Sequence, residues 1–256
     1  MPLFVPSTPE ILAAFAQDQI VCDLQPIVRI SDRRVMGVEA LARFDHPTAG
    51  LLAPASFVPQ IEAAGLSVQL VETVTRHALR SLGARFFQDQ RMFLAVNVPL
   101  DALLDPPTRG RMQATCRAAG MEPGAVVIEL MEGLPVSDLG ELADALHRWG
   151  RAGFPVVIDD AVPDTHNLAR LLELPFSAIK LDRSVVQGSA QAPLQRMVDA
   201  AKQHGLWVVA EGVEDLAAWQ RMERLRVDEV QGYLLAEPMP AVAVPGWLER
   251  WRADAG

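Results

Sequence analysis

The chain has only two cysteines, Cys22 and Cys116, too few and too far apart for a disulfide framework or a paired thiolate metal site. Two incidental, buried thiols fit a reducing compartment. Long apolar runs are missing as well. No uninterrupted stretch approaches the ~18 residues that a membrane helix needs. Residues 1–10 also carry no basic segment followed by an apolar one, as a secretory leader would. These absences predict a cytoplasmic protein with no membrane segment in this chain. Basic charge is in short supply: 23 Lys and Arg stand against 32 Asp and Glu, for a net charge of -9. That balance argues against a nucleic-acid polymer as partner, because phosphate-backbone contacts need a basic face. It leaves room for a small phosphate ester bridged to carboxylates by metal ions. No linker, repeat or low-complexity segment divides the chain, so residues 1–256 are expected to form one domain.

Half the residues are hydrophobic and 21% are charged, enough for one large core. Short apolar runs stop repeatedly on a polar or titratable residue: Val38-Glu39, Val96-Asn97, Ile128-Glu129, Ile158-Asp159-Asp160, Ile179-Lys180, Ala210-Glu211 and Val230-Gln231. Buried parallel strands read as near-continuous Val/Ile/Leu runs. In an α/β barrel of about 250 residues the chemistry sits at the carboxyl ends of such strands.

Residues 7–17 read as a leading helix capped by Ser7 or Thr8, with Pro9 in its first turn. Strands are predicted at 23–30 and 35–43, joined by only four residues, whereas a parallel crossover needs a dozen or more. These two strands must be antiparallel, so the fold class is α/β, a modified (β/α)8 TIM-type barrel with one antiparallel strand. Helical spacing follows at 55–64 and 67–87 before a strand at 91–97, and then helix and strand alternate to the end. Right-handed crossovers bring the strand ends to one rim.

Glu39, Asn97, Glu129, Asp159 and Asp160 are hard oxygen ligands with no thiolate or His-rich pair among them, which suits Mg²⁺ or Mn²⁺ better than Zn²⁺. So many carboxylates in one cavity repel each other unless cations neutralise them, and two ions about 4 Å apart can activate water on a phosphodiester. Lys180 can orient the attacking water or offset charge on phosphate. Asp182, two residues on, is expected on the same side of the strand. Glu211 can ligate metal or act as a base, Glu214 follows it at the same strand end, and Gln231 can bind substrate or water.

Together these residues resemble the EAL-domain cyclic di-GMP phosphodiesterases. Gln25-Pro26-Ile27-Val28 and Gly37-Val38-Glu39-Ala40-Leu41-Ala42-Arg43 match the family's signature. In family order come His46-Pro47, the segment 54–59 with 62–66, Val96-Asn97, Glu129-Leu130-Met131-Glu132, Asp159-Asp160, 180–184, 210–214 and Gln231-Gly232-Tyr233. The resemblance covers residues 24–240. It implies hydrolysis of cyclic di-GMP to linear pGpG with two Mg²⁺ or Mn²⁺ ions. Glu39, Asn97, Glu129 and Asp159 would hold one ion, and Asp159, Asp160 and Glu211 the second. Lys180 would contact the hydrolytic water, while Gln25, Leu41 and Arg43 would line the substrate site. Arg43 suits that role because a guanidinium grips phosphate or stacks on guanine.

The departures concentrate in one loop. After the paired aspartates, relatives carry a Phe-Gly-Thr-Gly-Tyr-Ser-Ser type segment, and this chain has Ala161-Val162-Pro163-Asp164-Thr165-His166-Asn167. Both glycines are gone and Pro163 fixes φ near -65°. In the family this loop helps place metal ligands, pairs with the glutamate matching Glu132 and contributes to a homodimer interface. Met131 and Pro99 are smaller departures, at positions where the family usually has Thr and often has Ser. A non-hydrolysing cyclic di-GMP receptor or interaction module is the alternative the altered loop favours. A carbon-acid barrel enzyme explains neither Arg43 nor the ordered set.

Overall fold

The computed structural model describes residues 4–131 and 138–255. Ser7 is the cap of the first helix, Thr8–Ala16, and Glu10 reaches back to accept from the Ser7 N–H at 2.7 Å. The strands are β1 (Ile20–Arg29), β2 (Val35–His46), β3 (Gly50–Leu52), β4 (Phe93–Val98), β5 (Val126–Met131) and β6 (Val156–Ala161). They continue with β7 (Ala178–Leu181), β8 (Trp207–Ala210), β9 (Glu229–Val230) and β10 (Met239–Pro240). They form one sheet in the order β10-β1-β9-β8-β7-β6-β5-β4-β2-β3, and the pairing of β1 with β2 closes it.

The closed ring consists of β1, β2 and β4 through β9, with β3 and β10 attached outside it. Strands β2 and β4 through β9 are parallel, and β1 is antiparallel to both β2 and β9. The four-residue connection makes the expected hairpin, with the Arg29 N–H donating to Arg34 O at 2.9 Å and Arg33 in the left-handed region. Because β1 is reversed, its amino-terminal half stands beside the carboxyl half of β2, and at mid-strand Gln25 is opposite Glu39.

Helices Ser67–Leu82, Pro106–Ala119, Leu139–Arg151, Gln191–Gln203 and Leu216–Arg224 surround the ring, each with buried apolar residues on one side. The principal core fills the space between these helices and the strands. A separate small group, Ile27, Ala95 and Val209 with Phe93 and Val127 against it, occupies the barrel interior. Among the described residues, no helix is long and apolar enough to cross a membrane.

The helix expected over 67–87 breaks at Gly83, whose φ of +78° is left-handed, and resumes as Ala84–Gln90. Strand β3 and the short helices Leu100–Leu104 and Arg183–Gln187 have no counterpart in the sequence reading. Residues 55–64 divide into a 3-10 turn, Pro54–Ser56, and the helix Val58–Ala63.

Candidate active site

Lys180 leaves β7 into the centre of the ring and is 1% exposed. Its Nζ contacts Glu39 Oε2 at 3.2 Å from β2, Glu129 Oε1 at 3.0 Å from β5, Asp159 Oδ1 at 3.1 Å from β6 and Glu211 Oε1 at 2.6 Å beyond β8. Asn97 Nδ2 donates to Glu39 Oε1 at 2.7 Å, which leaves the amide oxygen of Asn97 for another partner. Gln231 Nε2 donates to Glu39 Oε2 and Gln25 Oε1, both at 2.8 Å, and Gln25 Nε2 donates to Ala236 O at 3.0 Å. One network thus ties residues on or just beyond the other seven strands of the ring to the ammonium on β7.

Asp159 and Asp160 are adjacent, and on a regular strand they would point to opposite faces. The β6–β7 register shifts between Ile158 and Ala161, and Asp160 has φ +53°. This bulge turns both carboxylates to the carboxyl rim, where both line the same cavity. The next strand end also turns sharply. Gly212 follows Glu211 at φ +65°, and a Cβ there would lie 2.4 Å from the Arg183 Cβ.

One ammonium cannot neutralise four clustered carboxylates, of which Glu39, Glu129 and Asp159 are buried and Glu211 is partly exposed. Desolvation and mutual repulsion hold Glu129 well above the usual carboxylate range and raise Asp159. They push Glu211 up to about 8 and Asp160 to about 6. Lys180 is raised well above the ordinary lysine value, since burial, which opposes its charge, is outweighed by Asp159, Glu129, Glu211 and Glu39. Glu39 moves the other way: burial raises it, but Lys180, Gln231 and Asn97 together hold it below its ordinary value.

The donor set fits divalent cations. Oxygens of Glu39, Glu129 and Asp159 lie within 4.8 Å of one another, as do those of Asp159, Asp160 and Glu211, so Asp159 belongs to both clusters. Glu129 Oε2 is buried with no hydrogen-bond partner among the described residues, an acceptor with capacity left for an ion.

Above the clusters opens a cavity of about 400 Å³. Gln25, Glu39, Leu41, Asn97, Asp159, Asp160, Glu211, Glu214 and Gln231 are in its walls, and Lys180 and Glu129 lie beneath them. Two expected residues are placed differently. Arg43 is outside the cavity walls, its Nε donating to Asp23 Oδ2 and its Nη1 to Ala42 O, both at 2.8 Å. Asp182 does not continue the strand alternation from Lys180, because β7 ends at Leu181. It instead caps the helix Arg183–Gln187, accepting from the Ser184 N–H at 2.9 Å and from the Ser184 hydroxyl. Glu132 lies outside the described residues.

Comparison with known proteins agrees with this geometry. The EAL domain family matches residues 9–238. The chain belongs to the EAL domain family. It is 31% identical over 231 residues to the cyclic di-GMP phosphodiesterase PA2567 of Pseudomonas aeruginosa, an alignment covering 88% of this chain and 39% of that protein. It is 30% identical over 227 residues to the uncharacterized protein Rv1357c of Mycobacterium tuberculosis, covering 84% and 74%. Among solved structures, the PaMucR phosphodiesterase in complex with c-di-GMP superposes with a TM-score of 0.85 at 29% identity, covering 92% of this chain and 98% of that one. The chain spans about a third of the length of PA2567 and of the cyclic di-GMP phosphodiesterase NbdA, 39% and 32%.

This EAL domain also has wall residues to which the sequence reading assigned no role. Arg183 reaches Glu214 at 3.5 Å, Tyr233 stands on the rim, and Glu62 enters from the helix Val58–Ala63. Asp23 was legible in principle: two residues before Gln25 on one strand, it shares the face of Gln25 and lies across from Leu41. The loop of this EAL domain places its left-handed residue at Asn167, φ +59°, and the Val162 N–H donates to Thr165 Oγ1 at 3.0 Å.

Proposed function

We propose that this chain hydrolyses cyclic di-GMP to linear pGpG with Mg²⁺ or Mn²⁺. The observation that carries the reading is the Lys180 ammonium held among Glu39, Glu129, Asp159 and Glu211 directly under the open cavity. Glu39, Asn97, Glu129 and Asp159 hold one ion, and Asp159, Asp160 and Glu211 the second. Such ions, when bound, lower the pKa of a coordinated water and offset charge on the phosphate.

Water bonds to phosphorus as the P–O3′ bond breaks, leaving a 3′-hydroxyl on one nucleotide and a 5′-phosphate on the other. Lys180 orients the water by hydrogen bonding, and Glu211, 2.6 Å from Nζ, takes up the proton. The helix-capping of Asp182 leaves it a positioning residue, holding the backbone just after Lys180. Leu41 packs a guanine, Gln25, Gln231 and Glu214 supply polar contacts, and Arg43 acts from the rim once its pairing with Asp23 is exchanged for phosphate. A cavity of about 400 Å³ is in the range for a small-molecule site.

The receptor reading rests on the glycine-free loop. The bulge at Asp160 favours hydrolysis instead, since both aspartates face the cavity without either glycine. Incubation with cyclic di-GMP and Mn²⁺ or Mg²⁺, followed by chromatography, should yield pGpG. Lys180→Ala and Glu39→Ala should each lower the rate by at least about a hundredfold, the scale of removing one electrostatic catalytic group. Tight binding without turnover, even with the glycine-containing loop installed, would mean a receptor. Turnover that survives Glu39→Ala would refute the metal assignment.

A further inference from the structure

The barrel has a second cavity, at the end opposite the mouth, and nothing in the proposed reaction uses it. Its volume is about 140 Å³, and its walls come from the amino-terminal ends of the parallel strands and the far half of β1. Ile27, Val127, Val157 and Val209 make it apolar, and Trp207, 46% exposed, stands at its opening. An apolar cavity of about 150 Å³ accommodates a molecule the size of benzene.

Two carboxylates line this cavity: Glu129, which is paired with Lys180 at 3.0 Å, and Glu229. Glu229 precedes Gln231 by two residues and shares its inward face, so the same strand sends an amide to the mouth and an acid to the floor. Glu229 is 6% exposed, and among the described residues its carboxylate makes no hydrogen bond or ion pair. The charged groups around it are committed elsewhere, Lys180 of the same cavity being held by Glu39, Glu129, Asp159 and Glu211. Arg29, opposite it on β1, donates to both oxygens of Asp32, while Asp228 accepts from Lys202 and, at 2.7 Å, from the Val208 N–H. Burial and the neighbouring Asp228 push the Glu229 carboxyl up to about 7.

A buried carboxylate without a counter-ion is costly, and a cation is the partner that removes the cost. An aromatic face beside the opening attracts the same charge. The apolar side chains Ile27, Val127, Val157 and Val209 that share the cavity with the acid ask for a hydrocarbon body on that cation. We propose that this cavity binds a short-chain primary ammonium, its alkyl chain between Ile27, Val127, Val157 and Val209 and its head on the Glu229 carboxylate beside Trp207. The proposal does not rest on the phosphodiesterase reading, although the cavity shares Glu129 and Lys180 with the network under the mouth.

The test is a titration of the full chain with n-butylammonium, n-butanol and butyrate at pH 8, following the indole N–H of Trp207 by NMR after assignment with Trp207→Phe. n-Butylammonium should shift that resonance saturably. n-Butanol should bind at least tenfold more weakly, and butyrate not at all. Glu229→Gln should weaken n-butylammonium at least tenfold while leaving n-butanol unchanged, and Ala178→Leu, which fills the cavity, should abolish both. Equal affinity of n-butanol and n-butylammonium for the unmodified chain would overturn the proposal whatever the variants do. So would undiminished binding in Glu229→Gln, or the absence of a saturable shift, which would leave the cavity a site for water alone.

Discussion

At the scale of single residues, Lys180 does the work of a counter-ion before any metal arrives. Its four carboxylate contacts are what allow Glu39, Glu129, Asp159 and Glu211 to share a buried space. Lys180→Ala leaves those acids facing one another, and breaking a buried charge set costs about 3–5 kcal/mol. The metal-free variant should therefore melt several degrees below the parent, and Mn²⁺ should raise its Tm by more than it raises the parent's. Thermal unfolding with and without Mn²⁺ measures both; a variant indifferent to Mn²⁺ rules out these acids as ligands. The identity of the acids was readable in the chain because each ends a Val/Ile run. The tie between Arg43 and Asp23 was not, since it depends on which residues the β1–β2 register sets side by side.

At the scale of elements, apolar runs and a four-residue connection were sufficient for the strands of the closed ring and for the reversed β1, but not for β3 and β10 outside it. Helix ends were harder, because one left-handed glycine at Gly83 outweighs a continuous apolar periodicity. The loop after Asp159-Asp160 is the instructive case. Missing glycines suggested a changed backbone, and the positive φ angles are in fact held by Asp160 and Asn167, residue types that tolerate them. Asn167 has little Cβ comfort at φ +59°, so Asn167→Gly should be neutral or stabilising by up to about 1 kcal/mol, whereas Asn167→Val should destabilise by more than that. Chemical denaturation of the two variants tests the loop conformation; equal destabilisation would contradict it. A bulge that faces two adjacent acids the same way leaves no mark in sequence, since it is created by pairing to β7.

At the scale of the molecule, stability carries a pH signature from the floor of the barrel. An unfolded Glu229 ionises near 4.5, whereas the folded chain keeps the proton to about 7. The folded state binds more protons in that interval, so stability falls as pH rises from about 4.5 through 7, and the loss is complete above it. Glu229→Gln removes the loss. Its stability should match the parent's below pH 4.5 and exceed it at pH 8 by roughly 3 kcal/mol, at 1.36 kcal/mol per pKa unit, with a correspondingly higher Tm. A pH series of melting curves with a constant gap would refute it.

The reversed β1 also sets the order in which the protein can be assembled. Its hairpin with β2 is local and forms early, but its other edge waits for β9 and β10, where Val28 meets Val230 and Leu24 meets Met239. A nascent chain emerging from the ribosome therefore carries an unpaired β-edge from β1 until β9 and β10 have been made, a surface prone to mispairing. Gln231, which joins Gln25 to Glu39, arrives with the closing segment, so the mouth is completed in the same event that seals the ring.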